Sequence, residues 1–175
     1  AEINAGSAKG SAIPLQCDCA DAEQVATILA EVGGAPDVLI NNAGAGAWRY
    51  LNEAPARDVN FCMSAPYGCA ALLSRALMPA MLRSGKKSAV VMVQSPAALC
   101  AVPGATAYSC ARWALRGLFE ALTNDCYGSS VNIQMAVFGE VSSSYFSTNA
   151  GAKDRLPKIS DWLVRPLLAP EDAAA

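Results

Sequence analysis

The sequence predicts an α/β protein, a doubly wound parallel sheet with packed helices, and three observations carry that prediction. Short apolar runs at 38–40 and 89–93 are bounded by turn residues, as parallel strands buried on both faces are, and 13–17 and 131–137 are two further candidate strands. Longer stretches with helical spacing separate them, so the recurring unit is strand, loop, helix. Turn-forming residues follow the strands, among them Asn41 to Gly44, Ser95 with Pro96, and Gly139. Those turns lie beyond the carboxyl ends of the strands, where sheets of this kind bind ligands.

Each element has its own local reason. Residues 1–11 are small and polar without a period and read as loop. After the first apolar run, Asp18 and Asp21 stand where a helix begins, and Val25, Ile28, Leu29 and Val32 follow at helical spacing until Gly33 and Gly34 stop it. Residues 70–82 are apolar nearly all round and read as a long helix packed on the sheet and ending at Gly85. Pro103 and Gly104 make a loop, and 108–122 form a second long helix with Trp113, Leu118 and Leu122 able to face a core. No internal repeat or low-complexity linker divides the chain, so residues 1–175 are read as a single domain.

The totals narrow the function classes. A chain of 175 residues with 53% hydrophobic and 16% charged content supports a real core. Thirteen basic against fifteen acidic residues, with no basic block, argue against nucleic acid as a partner. No apolar run reaches membrane-spanning length and no signal peptide is visible. Seven cysteines, mostly within apolar runs, read as free buried thiols of a reducing compartment, so a cytoplasmic location is expected. Cys17 and Cys19 are too close for the usual zinc spacing, and no metal site is expected. The chain contains no histidine, which leaves Tyr, Lys, Asp, Glu or Cys for acid-base work.

Four motifs in order resemble the short-chain dehydrogenase/reductase family. Asn41-Asn42-Ala43-Gly44 follows a strand, as that family's Asn-Asn-Ala-Gly turn does. Ser95 ends the next strand and Tyr108 lies 13 positions on, the family's serine-to-tyrosine interval. The segment from Phe138 to Ser143 resembles its Pro-Gly-x-Val-x-Thr stretch, with Phe138 and Ser143 in place of Pro and Thr. The likeness runs from about residue 13 to about residue 173, and implies a Rossmann-like fold, incomplete at both ends. The glycine-rich pyrophosphate turn of the family does not occur in the sequence, nor does its last strand.

The resemblance implies residue roles. Ser95 would hydrogen-bond a substrate oxygen and stabilise charge developing there. Tyr108 would pass a proton to or from that oxygen, which an isolated phenol does poorly at neutral pH unless a nearby cation favours phenolate. The family supplies that cation as a lysine four residues after the tyrosine, and here Arg112 occupies the position. Asp18 and Cys19 match an adenine contact, while Asn41, Ala43, Gly44, Tyr108, Arg112, Val141 and Ser143 match positions around the rest of an NAD or NADP cofactor. Asn42 would brace neighbouring strands. Uninterrupted register places Pro66, rather than Asn60, where the family has a helix asparagine. Trp48, Tyr145, Phe146 and Trp162 are candidates for an apolar pocket, and equally for core or interface.

The implied activity is NAD(P)-dependent interconversion of a small-molecule carbonyl and alcohol. The competing expectation is a non-catalytic, dehydrogenase-like binding or structural subunit, since fold does not fix function and Arg112, Pro66 and the absent glycine-rich turn all depart from pattern. The apolar faces of the two long helices would also suit a homo-oligomer.

Overall fold

A computed structural model describes residues 11–142, 144–145, 149, 151 and 168–174. Three strands form one parallel sheet in the order β1 (Val38–Asn41), β2 (Ser88–Gln94), β3 (Val131–Val137). The register pairs Leu39 with Val90, and Val90 with Ile133. These three side chains therefore share one face, and they join Leu77, Met81 and Leu115 in the main core cluster.

Two long helices cover that face. The first, α4 (Cys69–Ser84), is preceded by α3 (Ala56–Met63) and a π-helical turn at Ser64–Gly68, where Pro66 can donate no backbone hydrogen bond. Its buried stripe is Cys69, Ala70, Ser74, Leu77, Met78 and Met81, and it stops at Gly85, whose φ of 64° lies in the left-handed region. The second, α5 (Thr106–Asp125), buries Ala107, Tyr108, Ala111 and Leu115, positions that recur along one helical stripe. Tyr108 and the helix's core anchor Leu115 thus face the same way. Leu115 is 1% exposed; Leu115→Ala is expected to cost about 2–5 kcal/mol, read as a lower urea midpoint with an unchanged slope.

Several expectations are corrected. Residues 13–17 form no strand, and Ile13 is 81% exposed. A strand exists only through its pairing, and β1 pairs on one side with β2 and with no other strand among the described residues. The strands are not buried on both faces: burial alternates along β2, while Val38 and Ile40 of β1 are exposed. The helix expected after Asp18 is two short ones, α1 (Ala22–Ala26) and α2 (Ile28–Val32), divided at Thr27. There the Thr27 hydroxyl donates back to the Gln24 carbonyl, a bond that competes with helix continuation. Asp21 caps α1 by accepting from the Glu23 and Gln24 amides.

Trp113 does not face the core. It is 48% exposed, with the Arg116 guanidinium 5.5 Å from its ring centre, whereas Leu118 and Leu122 do pack against the core. All seven cysteines are free, yet only Cys62, Cys69 and Cys126 are buried. Cys100 and Cys110 are exposed. A last short helix, α6 (Pro170–Ala174), follows a parallel bridge between Val141 and Leu168.

Candidate active site

The site forms beyond the carboxyl ends of β1 and β2, against the start of α5. Tyr108, in the first turn of α5, is 6% exposed. The Arg112 guanidinium lies 5.1 Å from its ring centre, one helical turn on. Trp48 stacks at 6.0 Å and Tyr145 tilts against it at 6.4 Å. Ala97 and Ala105 complete the packing around the ring.

The loop after β1 closes over this cluster because its side chains are small. A Cβ at Gly46 would stand 2.4 Å from Cδ2 of Tyr108 and 2.8 Å from the Tyr145 hydroxyl oxygen. A Cβ at Gly44 would stand 2.8 Å from Nη2 of Arg112. Farther along, the Ala47 amide donates to the Cys62 sulfur at 3.2 Å, and Ala47 packs on Cys62, Ala107 and Ala111. Burial pushes the Cys62 thiol up from its ordinary value, so it stays protonated.

Tyr145 accepts a hydrogen bond from Trp48 Nε1 at 3.0 Å. Burial, with the Tyr108 hydroxyl beside it, pushes the Tyr145 phenol up to about 12, against the opposing pull of the Trp48 bond and Arg112. It remains a neutral hydroxyl at physiological pH.

Arg112 is held on several sides. Nη1 donates to the Val93 carbonyl at 3.1 Å and approaches Gln94 Oε1 at 3.5 Å, and the buried Nε has no hydrogen-bond partner. Gln94 in turn donates through Nε2 to the Arg112 carbonyl at 2.7 Å. Ser95 follows immediately. Its hydroxyl accepts from the Ala97 amide at 3.2 Å and caps the short 3₁₀ turn Pro96–Ala98.

A family model described as short chain dehydrogenase matches residues 1–154. The chain belongs to the short-chain dehydrogenase family. A 3-ketodihydrosphingosine reductase from Dictyostelium discoideum is 30% identical over 129 residues, covering 70% of this chain and 39% of that protein. The human protein named retinol dehydrogenase 8 is 29% identical over 141 residues, covering 80% and 45%. A short chain dehydrogenase/reductase from Burkholderia phymatum, solved in complex with NAD, superposes with a TM-score of 0.72 at 26% identity, covering 84% of this chain and 53% of that one. The chain thus spans about half the length of the relatives it matches.

As a short-chain dehydrogenase it brings together only part of the residues singled out from its sequence. Tyr108, Arg112 and Gly44 meet, with Trp48 and Tyr145 around them. The bracing asparagine is Asn41, not the exposed Asn42: Asn41 is buried and its Nδ2 donates to the Ser74 hydroxyl at 3.2 Å. Ala43 is exposed beside Gly44. Asp18 and Cys19 lie at the head of α1, where Asp18 accepts from the Ala20 amide and the Cys19 thiol points to the Cys17 carbonyl. Val141 is half-buried at its bridge to Leu168, while Ser143, Phe146 and Trp162 lie outside the described residues. Pro66 is fully buried in the π turn and Asn60 is exposed on α3. Two participants escape the sequence reading, Gln94 and Gly46. Gln94 had a visible signal, a polar residue in the inward phase of an apolar strand; Gly46 had none beyond its neighbours.

Proposed function

We propose that the protein is an oxidoreductase that interconverts a carbonyl and an alcohol with NAD or NADP. The observation that carries this reading is the buried Tyr108 ring lying under the Arg112 guanidinium at the carboxyl edge of the sheet. The described residues fit half of such a cofactor. Arg112, with its unpartnered buried Nε, stands against Gly44 of the loop after β1, and that loop with Ala43 and the strand end at Asn41 would cradle a ribose and nicotinamide. Val141 and Ser143 would complete the nicotinamide end, and Asp18 with Cys19 the adenine end. No glycine-rich turn for the pyrophosphate is present in the sequence.

When bound, a reduced nicotinamide supplies a hydride to the carbonyl carbon. In that reduction the Tyr108 hydroxyl gives its proton to the carbonyl oxygen, forming the alcohol, and Arg112 stabilises the negative charge left on the phenol oxygen. The Ser95 hydroxyl, accepting from the Ala97 amide, retains its own proton to donate to the same oxygen. Trp48 and Tyr145 give the substrate space an aromatic wall with one neutral hydroxyl, which favours an apolar ketone or alcohol. Retinol and 3-ketodihydrosphingosine, for which two relatives are named, are lipophilic molecules of those classes.

The test is turnover by the full natural chain of a panel of apolar ketones and alcohols with NADH, NADPH and their oxidised forms. Arg112→Ala is expected to weaken nucleotide binding and slow turnover, each by about tenfold or more, because one group holds the ribose and supplies the field. Arg112→Lys keeps the charge on the same helix face and is expected to retain turnover within about tenfold. The enclosure of Tyr108 at 6% exposure favours a second reading, a non-catalytic binding subunit. Saturable nucleotide binding without turnover of any panel member selects it.

A further inference from the structure

We propose that Gln94 is a positioning residue that fixes Arg112 and the Ser95 backbone as one unit; this rests on reading Arg112 as the cofactor-binding cation. Gln94 is the last residue of β2 and is 3% exposed. Its amide is used at both ends. Nε2 donates to the Arg112 carbonyl at 2.7 Å, tying the backbone of α5 to the strand end. Oε1 accepts from the Ser95 amide at 3.2 Å and faces Nη1 of Arg112 at 3.5 Å.

The consequence concerns the guanidinium. Nη1 is occupied by the Val93 carbonyl and the Gln94 amide oxygen, so the planar head cannot rotate without breaking both. That fixed plane sets the head over the Tyr108 ring and leaves Nε, buried and unpartnered, as a free donor, with Nη2 toward Gly44. A buried donor left unmade is costly unless a ligand satisfies it. Gln94 therefore maintains a donor set whose partner is a ligand oxygen, and it does so without touching that ligand. An amide suits the position because it must donate to one carbonyl and accept from two N–H groups. Leucine supplies neither function, and glutamate lacks the donor.

The experiment is a double-mutant cycle in the full natural chain, with NADH and NADPH affinity read by fluorescence titration. Gln94→Leu is expected to weaken binding by about tenfold, and Gln94→Leu with Arg112→Ala to bind no more weakly than Arg112→Ala alone, the non-additivity of a residue acting through another. Losses that simply multiply overturn the proposal. Gln94→Glu, isosteric with the native side chain, replaces Gln94→Leu if the latter does not fold, and is expected to show the same non-additivity. A second readout needs no nucleotide: hydrogen exchange at the Arg112 Nε–H, identified by its absence in Arg112→Lys. It is expected to accelerate at least tenfold in the Gln94 variant, as a buried donor gains access to water. Unchanged exchange overturns the proposal. A full chain that binds neither nucleotide defeats the oxidoreductase reading, and the exchange measurement still decides whether Gln94 holds Arg112.

Discussion

Replacing Tyr108 by phenylalanine is expected to lower turnover by about 10²- to 10⁴-fold while leaving nucleotide affinity within about twofold. The substitution removes one oxygen and keeps the ring. The contacts to Trp48, Tyr145 and the Arg112 guanidinium are all contacts of the ring, so the packing of the site survives. On the proposed reading, what is lost is the proton carrier. The chain has no histidine to stand in, and the nearest other phenol, Tyr145, is pushed up to about 12 by burial and by its neighbour, which makes it a poor proton donor at neutral pH. Measured kcat and nucleotide affinity separate the two effects. Retained turnover in Tyr108→Phe would remove the tyrosine from the chemistry altogether.

Gly46→Ala is the second large effect, and its cause is space. The added Cβ falls 2.4 Å from Cδ2 of Tyr108 and 2.8 Å from the Tyr145 oxygen, distances that cannot be borne without movement. Neither ring can withdraw freely, since Tyr108 is packed against Ala97, Ala105 and Trp48, and Tyr145 is bonded to Trp48. The ring or the loop must shift by about 1 Å, which in a preorganised site costs about 10²-fold in rate. Gly44→Ala is milder, because its Cβ meets one guanidinium nitrogen, Nη2 of Arg112, at 2.8 Å rather than two packed rings. Turnover of the two variants side by side, with thermal midpoints to register strain, gives the comparison. Equal activity of Gly46→Ala and the native chain would show that the loop does not rest on Tyr108 in the full natural chain.

Much of the fold is legible in the sequence wherever a local rule suffices. The strand Val131–Val137 stands where expected, with Gly139 just beyond it, and Gly33 and Gly85 stop their helices by adopting positive φ. Asp21 caps as its position suggests. Local rules fail where the outcome depends on a partner. Residues 13–17 have a strand's composition, but a strand needs a neighbour to bond with. Trp113 has the apolar character of a core residue and the angular position of a surface one, a distinction of helical phase set by Tyr108, Ala111 and Leu115. In the site, the spacing of Tyr108 and Arg112 on one helix is readable. The crossing of a loop at Gly46 and the two-ended amide of Gln94 depend on distant segments meeting, and no periodicity encodes that.

The open side of β1 bears on how the chain behaves in crowded solution. Val38–Asn41 presents an outer row of backbone N–H and C=O groups with no strand beside it among the described residues, and Val38 and Ile40 are 53% and 60% exposed next to that row. Directional bonding capacity beside apolar surface is the combination that recruits a strand from another molecule. No charge, proline or bulge within Val38–Asn41 discourages such recruitment. Wherever this edge is bare, during synthesis or after partial unfolding, strand addition competes with correct folding. Colloidal yield, more than the melting point, will then be the first property to suffer.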